Sequence, residues 1–230
     1  MKTRFTLLAI AATAVAAAPA LAETRTYDVR DFDEIDVSAG IEVYYETGAA
    51  QSVSVENSKG DFSDIVVEVD DDRLVLKRAK RMNWGGKREK YVVTVSVDSL
   101  SEIEASSGAY VEGSGLTGDD TSIDVSSGAR VVVTNVSAGE VEVEASSGAS
   151  VEASGNCNEI SAEASSGSTI DAEELQCTTL TADVSSGASI RAYATNRVDA
   201  EASSGGSVRA SGGATDVTID KSSGGSVKVS

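Results

Sequence analysis

The sequence predicts an all-β chain whose second half is a parallel β-solenoid with short rungs of 18–20 residues. Three observations carry this. A Ser-Ser-Gly phrase recurs with its glycine at Gly108, Gly128, Gly148, Gly167, Gly187, Gly205 and Gly224, at spacings of 20, 20, 19, 20, 18 and 19 residues. A period that constant marks stacked units rather than a linker. Within each copy, apolar and polar residues alternate with a period of two, as in SIDVSSGARVVV from Ser122, which is the pattern of a half-buried strand and not of a helix. Aromatics make up only 4% of the chain while small residues abound, so the interior must be thin.

The chain opens with Lys2 and Arg4, an apolar run from Phe5 to Ala18, and Ala20-Leu21-Ala22. That order is expected of a secretory signal peptide, residues 1–22, cleaved before Glu23. The apolar run is shorter than a bilayer span requires, and no later stretch is long and apolar enough to cross a membrane. The cleavage point carries no cysteine, so no acylation site is expected there. The mature chain is expected outside the bacterial cytoplasm, in the periplasm or at the cell surface. Without Lys2 and Arg4 it holds 17 basic residues against 37 acidic ones, a net charge of −20. Such a surface repels nucleic acid and anionic membranes, and suits cations or a partner with a basic face.

Residues 23–99 also read as β, without the serine-glycine phrase. Strands are expected over Ile35–Val37, Ile41–Tyr45, Ser52–Glu56, Ile65–Val69, Arg73–Lys77 and Tyr91–Val97, with Asp70-Asp71-Asp72 as a tight turn. This region is expected to cap the open end of the solenoid, because a bare terminal rung exposes unpaired backbone. Lys77, Arg78, Lys80, Arg81, Lys87, Arg88 and Lys90 surround Trp84 and concentrate seven of the mature chain's basic residues in one segment. The bland reading is a solvated hairpin loop. The functional reading is a basic finger that docks onto an anionic glycan, lipid head groups or the acidic face of another copy.

Residues 100–230 are the repeats. Ile103, Ile123 and Val143 form one expected apolar seam, and Val131, Val151, Ile170, Ile190, Val208 and Val227 another. With one rung per copy, the stack is expected to rise on the order of 29 Å. One parity runs Ile123, Val125, Ser127, Ala129, Val131; Asp124, Glu142, Glu144 and Glu152 take the other, as acidic outward ladders. The recurrent glycine is read as structural, needed for positive φ or close backbone approach at a corner or a bulge. If it marks a corner, the parity beyond it could slip by one residue. Variable, turn-rich segments between the phrases, such as GSGLTGDDTS from Gly113 and EELQCTT from Glu173, are expected on one side of the stack. The only cysteines, Cys157 and Cys177, lie one rung apart. A disulfide clamping adjacent rungs is expected, since parallel neighbours meet its distance requirement. CxxC is absent and the chain has no histidine, which disfavours a redox or metal site.

The ordered blocks YDVRDFDEIDVSAGIEVYYETG (27–48), SVSVENSKGDFSDIVVEVDDDRLVLK (52–77) and YVVTVSVDSLSEIEASSGAYVEGSG (91–115) resemble the putative auto-transporter adhesin head GIN domain family. The resemblance spans about residues 27–230. It implies a right-handed parallel β-helix of the bacterial cell envelope and carries over no catalytic residues and no cofactor.

Three functions are weighed. The first is a non-catalytic adhesin or ligand-binding module whose partner is a glycan, an envelope component or another copy of itself. The second is a self-associating structural component of the envelope. The third is a polysaccharide-acting β-helix enzyme. A glycosidase needs one distinguished pair of carboxylates, and the acidic residues here nearly all follow the repeat. No metal site is expected, since the calcium-binding nonapeptide pattern is absent.

Overall fold

The structure, a computed structural model, describes residues 22–79 and 89–230. Its strands are β1 (Glu23–Tyr27), β2 (Glu34–Val37), β3 (Glu42–Thr47), β4 (Ser52–Asn57), β5 (Ile65–Asp70), β6 (Arg73–Arg78), β7 (Tyr91–Val97), β8 (Glu102–Ala105), β9 (Tyr110–Val125), β10 (Arg130–Ala145), β11 (Ser150–Ala164), β12 (Thr169–Val184), β13 (Ser189–Ala202), β14 (Ser207–Ser211), β15 (Asp216–Lys221) and β16 (Ser226–Val229). Every strand anticipated between residues 35 and 97 is present, with ends shifted by a residue or two. The predicted leader falls almost wholly outside the described residues.

Strands β8 to β16 stack in parallel as a β-solenoid. The register places Val131, Val151, Ile170, Ile190, Val208 and Val227 in one row, and Ile103, Ile123 and Val143 in another. All but Val227 are buried. Narrow rungs leave room mainly for Ala and Val beside these seams. Each branched side chain removed from water contributes roughly 1.5–3 kcal/mol, so stability accumulates rung by rung.

The Ser-Ser-Gly phrase is a corner. In every copy the second serine and the glycine both have positive φ, as at Ser127 (53°) and Gly128 (71°). Consecutive left-handed residues make a type I′ turn, closed here by Ala129 N–H donating to Ser126 O at 3.0 Å. A Cβ on Gly128 would meet open space, so positive φ and not close approach selects glycine. The corner also joins rungs: Gly128 N–H donates to Ser147 O at 3.1 Å, one rung on. Because the turn inserts two residues, burial resumes on the same parity at Ala129 and Val131. Ser127 is the exception to the expected inward parity and faces solvent at the corner.

Two further expectations are corrected. The variable segments between phrases are not loops outside the strands. Most lie inside the long strands β9 to β13, where each strand bends and keeps its parallel partners on either side, with register irregularities such as that between Val133 and Val136. Ladder hydrogen bonds run up the whole stack, so the backbone of these segments is paired even where the side chains are polar. The N-terminal region also carries the corner in disguise. Ser38-Ala39-Gly40-Ile41 has positive φ at Ala39 (61°) and Gly40 (71°) and stacks on Ser106–Ala109, with Ser106 N–H donating to Val37 O. Thus β2 and β3 form one rung, which pairs with β8 and β9. Strands β6 and β7 form the next rung out, pairing with β2 and β3 in parallel. Antiparallel strands β5 and β4 then cover β6 and β7, and β1 covers β4. Phe62, Leu74, Leu76 and Tyr91 give this end a thicker core than the repeats. At the opposite end β15 is exposed throughout, with Val217 and Ile219 at 40% and 41% exposure.

Cys157 and Cys177 form the expected disulfide, with Cα atoms 4.6 Å apart. They continue a row in which Ala138 precedes Cys157 and Ala194 follows Cys177.

Candidate functional site

The described surface carries a recess along the repeats. It is a trough of about 540 Å³ running along the stack beside the serine-glycine corners. Its wall is an outward row on the last leg of each rung: Asp36, Glu104, Asp124, Glu144, Glu163, Asp183, Glu201 and Asp220 are register partners in succession. The first serine of each corner, from Ser106 to Ser222, lines the other side. The geometry follows from the sequence. Positions two before each corner serine are outward by alternation, and every copy places Asp or Glu there.

Stacked like charges one rung apart repel, and partial burial makes that worse. Asp124 shows both effects: desolvation first, then Glu144, Glu104 and other carboxylates, push its pKa up to about 6. Glu163 is raised for the same two reasons, burial leading. Asp36 is also raised by burial, although Arg73 and Lys77 pull in the opposite direction. Arg73 terminates the acidic field at the cap. Its guanidinium donates to Glu34 at 2.8 Å, Glu102 at 2.6 Å and Glu104 at 2.8 Å, spanning three rungs. Among the described residues, no three His, Cys, Asp or Glu side chains converge as metal ligands; the carboxylates are strung out one per rung.

The basic segment singled out in the sequence runs between β6 and β7 in chain order, and the structure describes Lys77, Arg78 and Lys90 of it. Arg78 is built into the cap. Its side chain is only 10% exposed and pairs with Asp64, donates to Ala39 O and Glu89 O, and lies over the Tyr91 ring. Lys77 pairs with Glu68 at 2.6 Å, and Lys90 with Glu42 at 2.9 Å. Lys80, Arg81, Trp84, Lys87 and Arg88 lie outside the described residues. Of the predicted set, the structure describes Lys77, Arg78 and Lys90, each held in its own ion pair. The acidic rows were legible in the alternation. Their union with the corner serines into a trough was not, because it depends on the turn type.

A second surface was not anticipated as a site. Tyr44 on β3 and Tyr110 on β9 stand together on the solvent side of the first rungs, with ring centroids 6.1 Å apart and planes at 63°. Tyr110 donates to Glu112 at 2.7 Å, and that bond, ahead of burial, pushes its pKa up to about 12. The only signal in the sequence is tyrosine at positions where later copies place Ser, Thr, Val or charged residues.

A family model described as putative auto-transporter adhesin, head GIN domain, matches residues 31–214. No curated protein matches the chain. Among solved structures, a putative adhesin from Bacteroides fragilis superposes with a TM-score of 0.81 at 21% identity, covering 91% of this chain and 97% of its own. A putative adhesin from Parabacteroides merdae gives 0.70 at 17% identity over 91% and 96%. A putative lipid binding protein from Parabacteroides distasonis gives 0.65 at 19% identity over 91% and 97%. At these identities the likeness establishes the shared fold. Among the described residues no helix is long and apolar enough to cross a membrane.

Proposed function

The chain belongs to the putative auto-transporter adhesin, head GIN domain family, and on that footing we propose that it is a non-catalytic binding module of the bacterial cell envelope, exported by its N-terminal leader. The observation that carries this reading is the uniformity of the trough. Acid–base chemistry needs two groups whose environments set their proton affinities apart at one place. Here each rung offers an Asp or Glu and a serine at the same place, which suits an extended partner held by repeated weak contacts. The disulfide fits an oxidising compartment outside the cytoplasm. The sequence also concentrates basic residues around Trp84, opposite in sign to the acidic rest of the chain.

The test is binding of purified residues 23–230 to arrays of bacterial and host glycans and lipids, beside a variant with Trp84 and its flanking basic residues replaced. Saturable binding, with the bound molecule recovered chemically unchanged, supports the module. Cleavage of a glycan on the array by the wild-type chain overturns the non-catalytic reading. Loss of binding in the variant assigns recognition to the 77–90 segment; retention assigns it elsewhere on the stack.

A further inference from the structure

We propose that Tyr44 and Tyr110 form a stacking platform for an uncharged pyranoside chain, an inference that rests on the binding-module reading and names its ligand class. The chain holds only three Phe, one Trp and six Tyr. Phe32, Phe62, Tyr45 and Tyr91 are buried in the core. Tyr44 and Tyr110 instead project to solvent from neighbouring strands, and Tyr44 is 40% exposed. In the Tyr110 row, later rungs place Arg130, Ser150, Thr169, Ser189, Ser207 and Ser226, so an aromatic is not needed to build that position.

A pyranose ring presents C–H groups on its faces and hydroxyls around its edge. An exposed tyrosine ring matches the face, and charged groups beside it match the edge. Those groups are in place here: Glu42 is the register partner of Tyr110, and Glu112 that of Tyr44. Charge selects the uncharged member of the class. Lys90 is paired with Glu42 at 2.9 Å and Arg130 with Glu152 at 2.5 Å, so an anionic ligand would compete with a carboxylate already held at each cation. A carboxylated or sulfated glycan would have to break one of these pairs against a chain of net charge −18. A neutral sugar accepts from Lys90 and donates to Glu42 or Glu112 without disturbing the balance. The platform lies where the cap meets the first repeat, on the solvent side of strands β3 and β9.

The experiment is affinity electrophoresis of residues 23–230 in native gels containing a soluble neutral glucan, mannan, xylan or galactan, with alginate and hyaluronan gels in parallel. At least one neutral polymer is expected to retard the wild-type chain. The Tyr44→Ala and Tyr110→Ala variants should bind it tenfold or more weakly, and Tyr44→Trp should retain it. Thermal melts of the variants guard against unfolding. If the tyrosines serve only as a cross-strand pair, the melting temperature falls but mobility in every gel stays that of the wild type, and the platform is overturned. It is equally overturned if no neutral polymer retards the wild-type chain. Retardation by the anionic polymers alone leaves the binding module standing and removes only this site.

Discussion

Asp124 and Glu144 are register partners on successive rungs, placing a partly buried carboxylate beside an exposed one in the middle of the acidic row. The pair makes the stack a pH-sensitive object. The Asp124 pKa, about 6 when folded, stands above the ordinary aspartate value of 3.8, so the folded chain binds the proton more tightly. That contribution is complete below the unfolded value and is lost as pH rises through about 6. Asp36, Glu102 and Glu163 shift in the same direction. The chain should therefore melt higher at pH 5 than at pH 8. Asp124→Asn should stabilise it at pH 8 by on the order of 1 kcal/mol, allowing for solvent screening, and should flatten the pH dependence. Calorimetric melts across that range check both.

The corner requires two left-handed residues, and only one of them is glycine. Gly148→Ala should cost roughly 1–2 kcal/mol through backbone strain, since nothing obstructs the added methyl. Ser147→Gly relieves the neighbouring strain while loosening the unfolded chain, and should change stability by less than about 0.5 kcal/mol. Denaturant unfolding of the two variants separates these outcomes. Equal losses at both positions would mean the serine side chain, not φ, sets the turn.

Cys157→Ala/Cys177→Ala restores the alanine row defined by Ala138 and Ala194. Packing should survive, so the loss should be the chain-entropy term for a loop of this length, about 3 kcal/mol. Reduction of the wild-type chain should give a similar loss in unfolding experiments.

How much of this was legible in the sequence depends on which interaction set each feature. Alternation and repeat length fix the rows of the stack, so the Val131 and Ile103 seams and the disulfide could be read directly. The corner at Ala39-Gly40 was hidden because alanine replaces the marker serine, while the backbone asks only that Gly40 and its neighbour adopt positive φ. The variable segments look like loops because Gly, Asn and Ser mark turns. Here those residues serve a bend whose backbone remains paired to the rungs above and below. Trp84 and the adjoining lysines and arginines drew attention by composition. Tyr44 and Tyr110 did not, because their proximity arises from pairing between strands more than sixty residues apart.

Lys221 breaks the inward row of Ala105, Val125, Ala145, Ala164, Val184 and Ala202 at the exposed last rung. An inward-pointing charge at an edge opposes pairing with another chain. Lys221→Val should therefore make residues 23–230 associate in a concentration-dependent way, detectable by analytical ultracentrifugation. An unchanged sedimentation coefficient at all concentrations would show that the end is protected by something other than this lysine.

The central claim, binding without catalysis, is tested most directly by calorimetric titration of residues 23–230 with whichever glycan or lipid the arrays identify, followed by mass analysis of the ligand. The account predicts a saturable isotherm and a ligand of unchanged mass. A ligand recovered as cleavage or elimination products would contradict it.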